Sequence, residues 1–74
     1  MVQILIEAKK GLNKTRIIYN CNLNYHQLLV YLDFLLLNKF LVRQVDVDGK
    51  EKFVTTQKGN FFVKEFQQLQ ILMD

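Results

Sequence analysis

The chain has 74 residues, half of them hydrophobic and 23% charged, which makes it one small folded domain over residues 1–74 rather than a disordered tail. Its net charge of +3 is mild but uneven: Lys9, Lys10, Lys14 and Arg16 cluster before residue 20 with only Glu7 against them, a balance that favours a polyanionic partner without deciding one. A single cysteine, Cys21, excludes an internal disulfide framework and any cysteine-rich zinc site.

Val2 to Lys10 reads as a first helix with Ile4, Leu5 and Ala8 on one side, ended by Gly11 in a left-handed conformation, after which Leu12 returns to the core. Asn13 can cap a second helix from Lys14 to about Asn20, with Ile17, Ile18 and Cys21 on its buried side. Asn20, Asn22 and Asn24 mark the short turn that follows. Asn24 then caps the central helix, which runs to Asn38 without glycine, proline or a β-branched run. Leu28, Tyr31, Leu32, Leu35 and Leu36 form its core face, while His26, Gln27, Val30, Asp33, Phe34 and Leu37 lie opposite.

Beyond Phe40 the period changes. Leu41 to Val47 is rich in β-branched residues, Asp48-Gly49 is a hairpin signal, and Glu51 to Thr55 is the returning strand. A two-residue loop sets Asp46 opposite Glu51. A three-residue loop over Asp48 to Lys50 sets Val45 opposite Phe53 and Asp46 opposite Lys52, and suits cross-strand pairing better. Thr56 caps a last helix from Gln57 to about Met73, although Gly59 and Asn60 weaken its first turn. In that helix Phe62, Phe66, Leu69 and Met73 recur at four-three-four spacing, a seam expected to mediate dimerisation because so small a core cannot cover it all. The plainer alternative is that the seam closes the chain's own core.

This order, with the runs Lys14-Thr-Arg-Ile17, Leu23-Asn-Tyr-His-Gln-Leu28, Tyr31-Leu-Asp-Phe-Leu-Leu36 and Thr56-Gln-Lys-Gly59, resembles a family of archaeal winged helix-turn-helix transcriptional regulators that includes the 10a-type chromatin proteins of Sulfolobus. The resemblance covers nearly the whole chain. It implies a mainly α fold with a two-stranded wing, dimerisation through the helix after the wing, and binding of double-stranded DNA. In that family's recognition helix lysine is frequent where this chain has His26, Leu29 and Val30, and the glycine that follows the helix is replaced here by Phe40.

Lys14 and Arg16 stand in the first turn of the second helix, where the macrodipole disfavours cations by a few tenths of a kcal/mol, so the pair points to an anion nearby or to a plain solvated end. With Thr15 and the free amides of a helix start they make a phosphate clamp, and this helix crosses the DNA backbone in helix-turn-helix docking. Tyr25, His26 and Gln27 open the recognition helix. There Gln27 can pair with adenine, and His26 can donate to a phosphate or a base acceptor. Arg43, Lys50 and Lys52 are the wing's cations, diluted by Asp46, Asp48 and Glu51. Val30, Phe34 and Leu37 form an apolar outer stripe that the last helix, a partner subunit or another protein has to cover.

No triad, acidic dyad, metal cluster or phosphate-binding glycine loop is present in the sequence, so neither an enzyme nor a cofactor or metal is expected. No apolar run is long enough to span a bilayer and the start lacks the features of a signal peptide, which makes a cytoplasmic, nucleoid-associated protein the expectation. The reading that follows is a homodimeric, DNA-binding transcriptional regulator or architectural protein. The alternative is a protein-interaction module on the same scaffold.

Overall fold

The computed structural model describes residues 1–73, without the side chain of Met73. Helix α1 (Val2–Glu7) tightens into a 3-10 turn (Ala8–Lys10), and α2 (Lys14–Cys21) and α3 (Tyr25–Leu37) follow. An antiparallel hairpin of β1 (Leu41–Val45) and β2 (Glu51–Thr55) leads to α4 (Gln57–Met73). This is the mainly helical, winged order expected from the sequence.

The core is built where the apolar periods of the elements meet. Ile4, Leu5 and Ala8 meet Ile17 of α2, Leu28, Leu32 and Leu35 of α3, Leu41 and Phe53 of the hairpin, and Val63 of α4, all buried. Each Val, Leu, Ile or Phe side chain among them contributes about 1.5–3 kcal/mol by leaving water. Cys21 is half-buried at the edge of this core. Burial, and secondarily the charge of Glu7, pushes its thiol pKa up, so it stays protonated and acts as a small hydrophobe.

Three side-chain caps fix where helices begin. The Asn13 side chain accepts from the Arg16 amide at 2.9 Å and starts α2. At α3 a reciprocal box forms: the Gln27 amide donates to Asn24 Oδ1 at 2.7 Å, and the Asn24 amide donates to Gln27 Oε1 at 3.0 Å. Thr56 starts α4, accepting from the Gly59 amide at 2.9 Å while its hydroxyl donates to the Lys39 carbonyl at 2.7 Å. Gly59 is also a matter of space. A Cβ there would overlap the Phe40 carbonyl oxygen and lie 2.8 Å from Thr55 Cγ2, so its absence lets the first turn of α4 dock against the end of α3.

The hairpin register departs from both expectations. Val45 pairs with Glu51 and Arg43 with Phe53, and β1 stops at Val45 instead of Val47. The reason is Gly49, at φ +78: a three-residue loop with its left-handed residue last must span Val47 to Gly49, one residue earlier than Asp48 to Lys50. The Gly49 amide donates to the Asp46 carbonyl at 3.0 Å, and Asp46 Oδ1 accepts from the Asp48 and Lys50 amides, each at 2.9 Å. A second correction concerns the end of α3, where the position suited to glycine is Lys39, at φ +61, and not Phe40. Phe40 is the next residue, whose amide donates to the Leu35 carbonyl at 2.9 Å.

On the other edge of β2, Leu12 and Phe53 exchange two backbone hydrogen bonds, of 2.9 and 2.7 Å. This isolated bridge ties the chain just before α2 to the wing. The buried Thr55 hydroxyl donates to the Leu5 carbonyl at 2.6 Å, fastening the same strand to α1.

Helix α4 has two parts with different surroundings. Val63 is buried, and Phe62 stacks on Phe40 at 4.7 Å between ring centroids, so Phe62 of the predicted seam serves the chain's own core. Phe66 is more than a third exposed beside a shallow groove with Met1, Val2 and Ile6, and Leu69, Ile71 and Leu72 are exposed. The helix thus runs past the body of the domain, giving an elongated molecule of 44 × 25 × 19 Å. Met73, the fourth seam residue, lies outside the described side chains. No described helix is long and apolar enough to cross a membrane.

Candidate nucleic-acid interface

The bridge between Leu12 and Phe53 places the start of α2 beside the wing, and the cations of the two elements meet there. An open cleft is bordered by Arg16 from α2, by Lys50 and Lys52 from the wing, and by Asp46 and Glu51. Gly11, at φ +96, makes the close approach possible: the aliphatic stem of Lys52 crosses over it, where a Cβ would lie 3.1 Å from Lys52 Cδ.

Glu51 is the centre of this arrangement. Its Oε1 faces Lys14 Nζ at 3.7 Å, and its Oε2 accepts a hydrogen bond from Arg43 Nε. Arg43 lies one strand across and two residues along from Glu51, on the same face of the hairpin, which is the diagonal that long side chains bridge. The Arg43 hydrogen bond is the main reason why the Glu51 carboxyl is held below its ordinary pKa, with smaller help from the charges of Arg43 and Lys14. Counted together, five cationic side chains (Lys14, Arg16, Arg43, Lys50 and Lys52) stand around two carboxylates. The Asn13 cap takes the Arg16 amide, so the α2 start offers an anion the amides of Lys14 and Thr15 and the exposed Thr15 hydroxyl.

Tyr25, His26 and Gln27 do not join this cleft. All three are exposed at the start of α3, which follows the trailing end of α2, whereas the cleft lies at the leading end of that eight-residue, roughly 12 Å helix. The candidate DNA-contacting residues therefore fall into two patches. Gln27 is further constrained, because its side-chain carbonyl is held by the Asn24 amide. Its amide nitrogen is left free for a base, whereas a pairing with adenine that also uses the carbonyl competes with the cap.

Sequence reasoning overlooked Tyr19. It is 78% exposed on α2, three residues after Arg16 and so on the same outer side of the helix, beside Asn20. The helical spacing from Arg16 was the available signal. On the outer face of α3, Phe34 meets Phe40 at 6.4 Å between centroids yet stays 43% exposed, and Val30 and Leu37 are exposed as well. Of the three covers expected from the sequence, the last helix does not supply one, since all three residues stay exposed. It meets Phe40 at the end of the stripe, through Phe62 and through Lys58, whose ammonium lies 5.2 Å from the Phe40 ring centre.

A family model described as winged helix-turn-helix matches residues 1–74. No curated protein matches the chain, and no solved structure does.

Proposed function

The chain belongs to the winged helix-turn-helix family, and from that premise we propose that it binds duplex DNA as a homodimer and acts as a small intracellular transcriptional regulator or architectural protein. The observation that carries the reading is the gathering of Arg16, Lys50 and Lys52 at one cleft between α2 and the wing, with Lys14 joined to it through Glu51; these two elements flank the recognition helix. Backbone phosphates are the natural ligand of such a cluster, and phosphate contacts fix the register of a helix-turn-helix protein on its duplex. The start of α3 would then enter the major groove, presenting Tyr25, His26 and the amide nitrogen of Gln27. With so few donors there, affinity comes mainly from the backbone and sequence preference is shallow. The likeness of Lys14 to Ile17 and of Thr56 to Gly59 to archaeal regulators supports the regulatory or architectural role.

The test is salt-dependent duplex binding. Replacing both Lys14→Ala and Arg16→Ala weakens binding on every sequence alike and lowers the slope of log affinity against log salt by up to about two units, since each lost phosphate contact removes about 0.9. A double variant that retards mixed-sequence duplex as well as the parent does would remove these residues from the interface.

One observation favours a second reading. Val30, Phe34 and Leu37 leave an apolar stripe open on α3, which suits a protein partner better than a phosphate lattice. Under it Phe34→Asp abolishes capture of a specific protein partner in a pull-down and leaves duplex affinity unchanged. Loss of duplex affinity in that variant would assign the stripe to the DNA instead.

A further inference from the structure

Glu51 projects a carboxylate into a surface whose other side chains are gathered as if for an anion. Its two oxygens are divided between two cations from different elements, Oε1 with Lys14 of α2 at 3.7 Å and Oε2 with Arg43 of β1. A carboxylate and a phosphodiester are both monoanions that present two oxygens, and Lys and Arg side chains accept either in the same way. We propose that Glu51 is a resident anion in the phosphate seat between α2 and the wing, holding Lys14 and Arg43 converged until a DNA phosphate displaces it. The proposal rests on the duplex-binding reading.

Three features support displacement over a purely structural ion pair. The Lys14 and Arg43 side chains are 39% and 57% exposed and that of Glu51 is 29% exposed, so a phosphate reaches all three without opening the core. Exposed ion pairs of this kind are held weakly and yield to a competing anion. The other carboxylate at the cleft, Asp46, is engaged elsewhere, since it accepts the Asp48 and Lys50 amides and closes the turn. Arg16, Lys50 and Lys52 border the same cleft and, among the described residues, make no ion pair. A phosphate arriving there therefore meets cations already in place and one anion to expel. Glu51 then acts as a brake on sequence-independent binding, because it cancels a charge at the seat and reduces the counterion release that drives association.

The experiment is a salt titration of mixed-sequence duplex by fluorescence anisotropy, with the full chain and four variants. Glu51→Gln, which keeps the shape and removes the charge, is expected to tighten binding by roughly fivefold and to steepen the salt slope by up to about one unit. Asp46→Asn removes the same charge from the same cleft and retains the acceptor of the turn, and it is expected to change affinity by well under half as much. In a Lys14→Ala, Arg43→Ala background, Glu51→Gln should do no more than Asp46→Asn does in the parent. Thermal melting confirms that each protein is folded at the working temperature. Weaker or unchanged binding by folded Glu51→Gln overturns the proposal, and the carboxylate then positions the cations without competing for them. Equal effects of Glu51→Gln and Asp46→Asn, or an undiminished effect without Lys14 and Arg43, also overturn it in favour of net charge. A parent that binds no duplex at any salt concentration overturns the duplex-binding reading itself, and this proposal with it.

Discussion

Lys39 ends α3 in a conformation that suits glycine. At φ +61 its Cβ crowds the backbone, at a cost of about 1–2 kcal/mol relative to a residue without one. It is held there because its amide donates to the Leu36 carbonyl at 3.1 Å and the Phe40 amide to that of Leu35, a pair of bonds that turns Phe40 back towards Phe34 and Phe62. Lys39→Gly removes the crowding and raises the entropy of the unfolded chain, which takes back part of the gain. The expected result is a net stabilisation of about 0.5–1 kcal/mol, read as a rise of a few degrees in Tm in a thermal melt. A fall in Tm would mean that the lysine stem contributes packing that outweighs the backbone strain. Asn22, at φ 54 after α2, has the same duty but is of a residue type that tolerates it. The contrast explains why one left-handed position was legible and the other was not: Asn22 advertises its turn, whereas a lysine carries no such signal.

At the scale of elements, the wing and α2 are coupled twice, by the backbone bridge from Leu12 to Phe53 and by Glu51 between Lys14 and Arg43. The second link depends on pH. The Glu51 pKa is lowered in the folded chain, first by the hydrogen bond from Arg43, so the carboxylate's contribution to stability is fully present above its unfolded pKa and is lost as pH falls through the folded value. Gln at this position does not titrate. The difference in Tm between parent and Glu51→Gln should therefore be greatest near pH 7 and shrink on acidification below the ordinary carboxylate pKa of about 4.3. A difference that stays constant across that range would show that the link is not ionic. Helix positions and their core faces were legible in the sequence, because apolar spacing and asparagine or threonine caps are local properties. The cations of the site were legible as residue types for the same reason. What joins them was not, because Glu51 lies 37 positions from Lys14 and only the pairing of Leu12 with Phe53 brings the two together. The strand register failed for a local reason, as the loop is placed by which residue takes a positive φ, and Gly49 takes it in the last loop position.

At the scale of the molecule, the question is what becomes of the far half of α4. Periodicity could not separate Phe62 from Leu69, since a core and an interface require the same spacing. The fold separates them: Phe62 stacks on Phe40, while Leu69, Ile71 and Leu72 are 56%, 75% and 83% exposed on a helix that extends past the domain. A second copy is the partner expected to cover them, and pairing would also answer a weakness of the proposed DNA site. One cleft lined by three cations and two carboxylates, with Lys14 and Arg43 joined to it through Glu51, makes few phosphate contacts, and single contacts at physiological salt hold a duplex poorly. Two such clefts in one dimer make the second contact intramolecular, which multiplies affinity by about 10²–10⁴ when the half-sites lie roughly 34 Å apart. Replacing both Leu69→Glu and Leu72→Glu places charge on a surface that the monomer already leaves open, so each subunit should keep its fold. The variant is expected to sediment as a monomer and the parent, at the same concentration, as a dimer, and the variant to lose at least about 100-fold in duplex affinity. Its salt slope should fall to about half, since one cleft rather than two then releases counterions. A folded variant that binds duplex as tightly as the parent would separate the exposed end of α4 from DNA binding. The cleft would then have to hold its duplex alone.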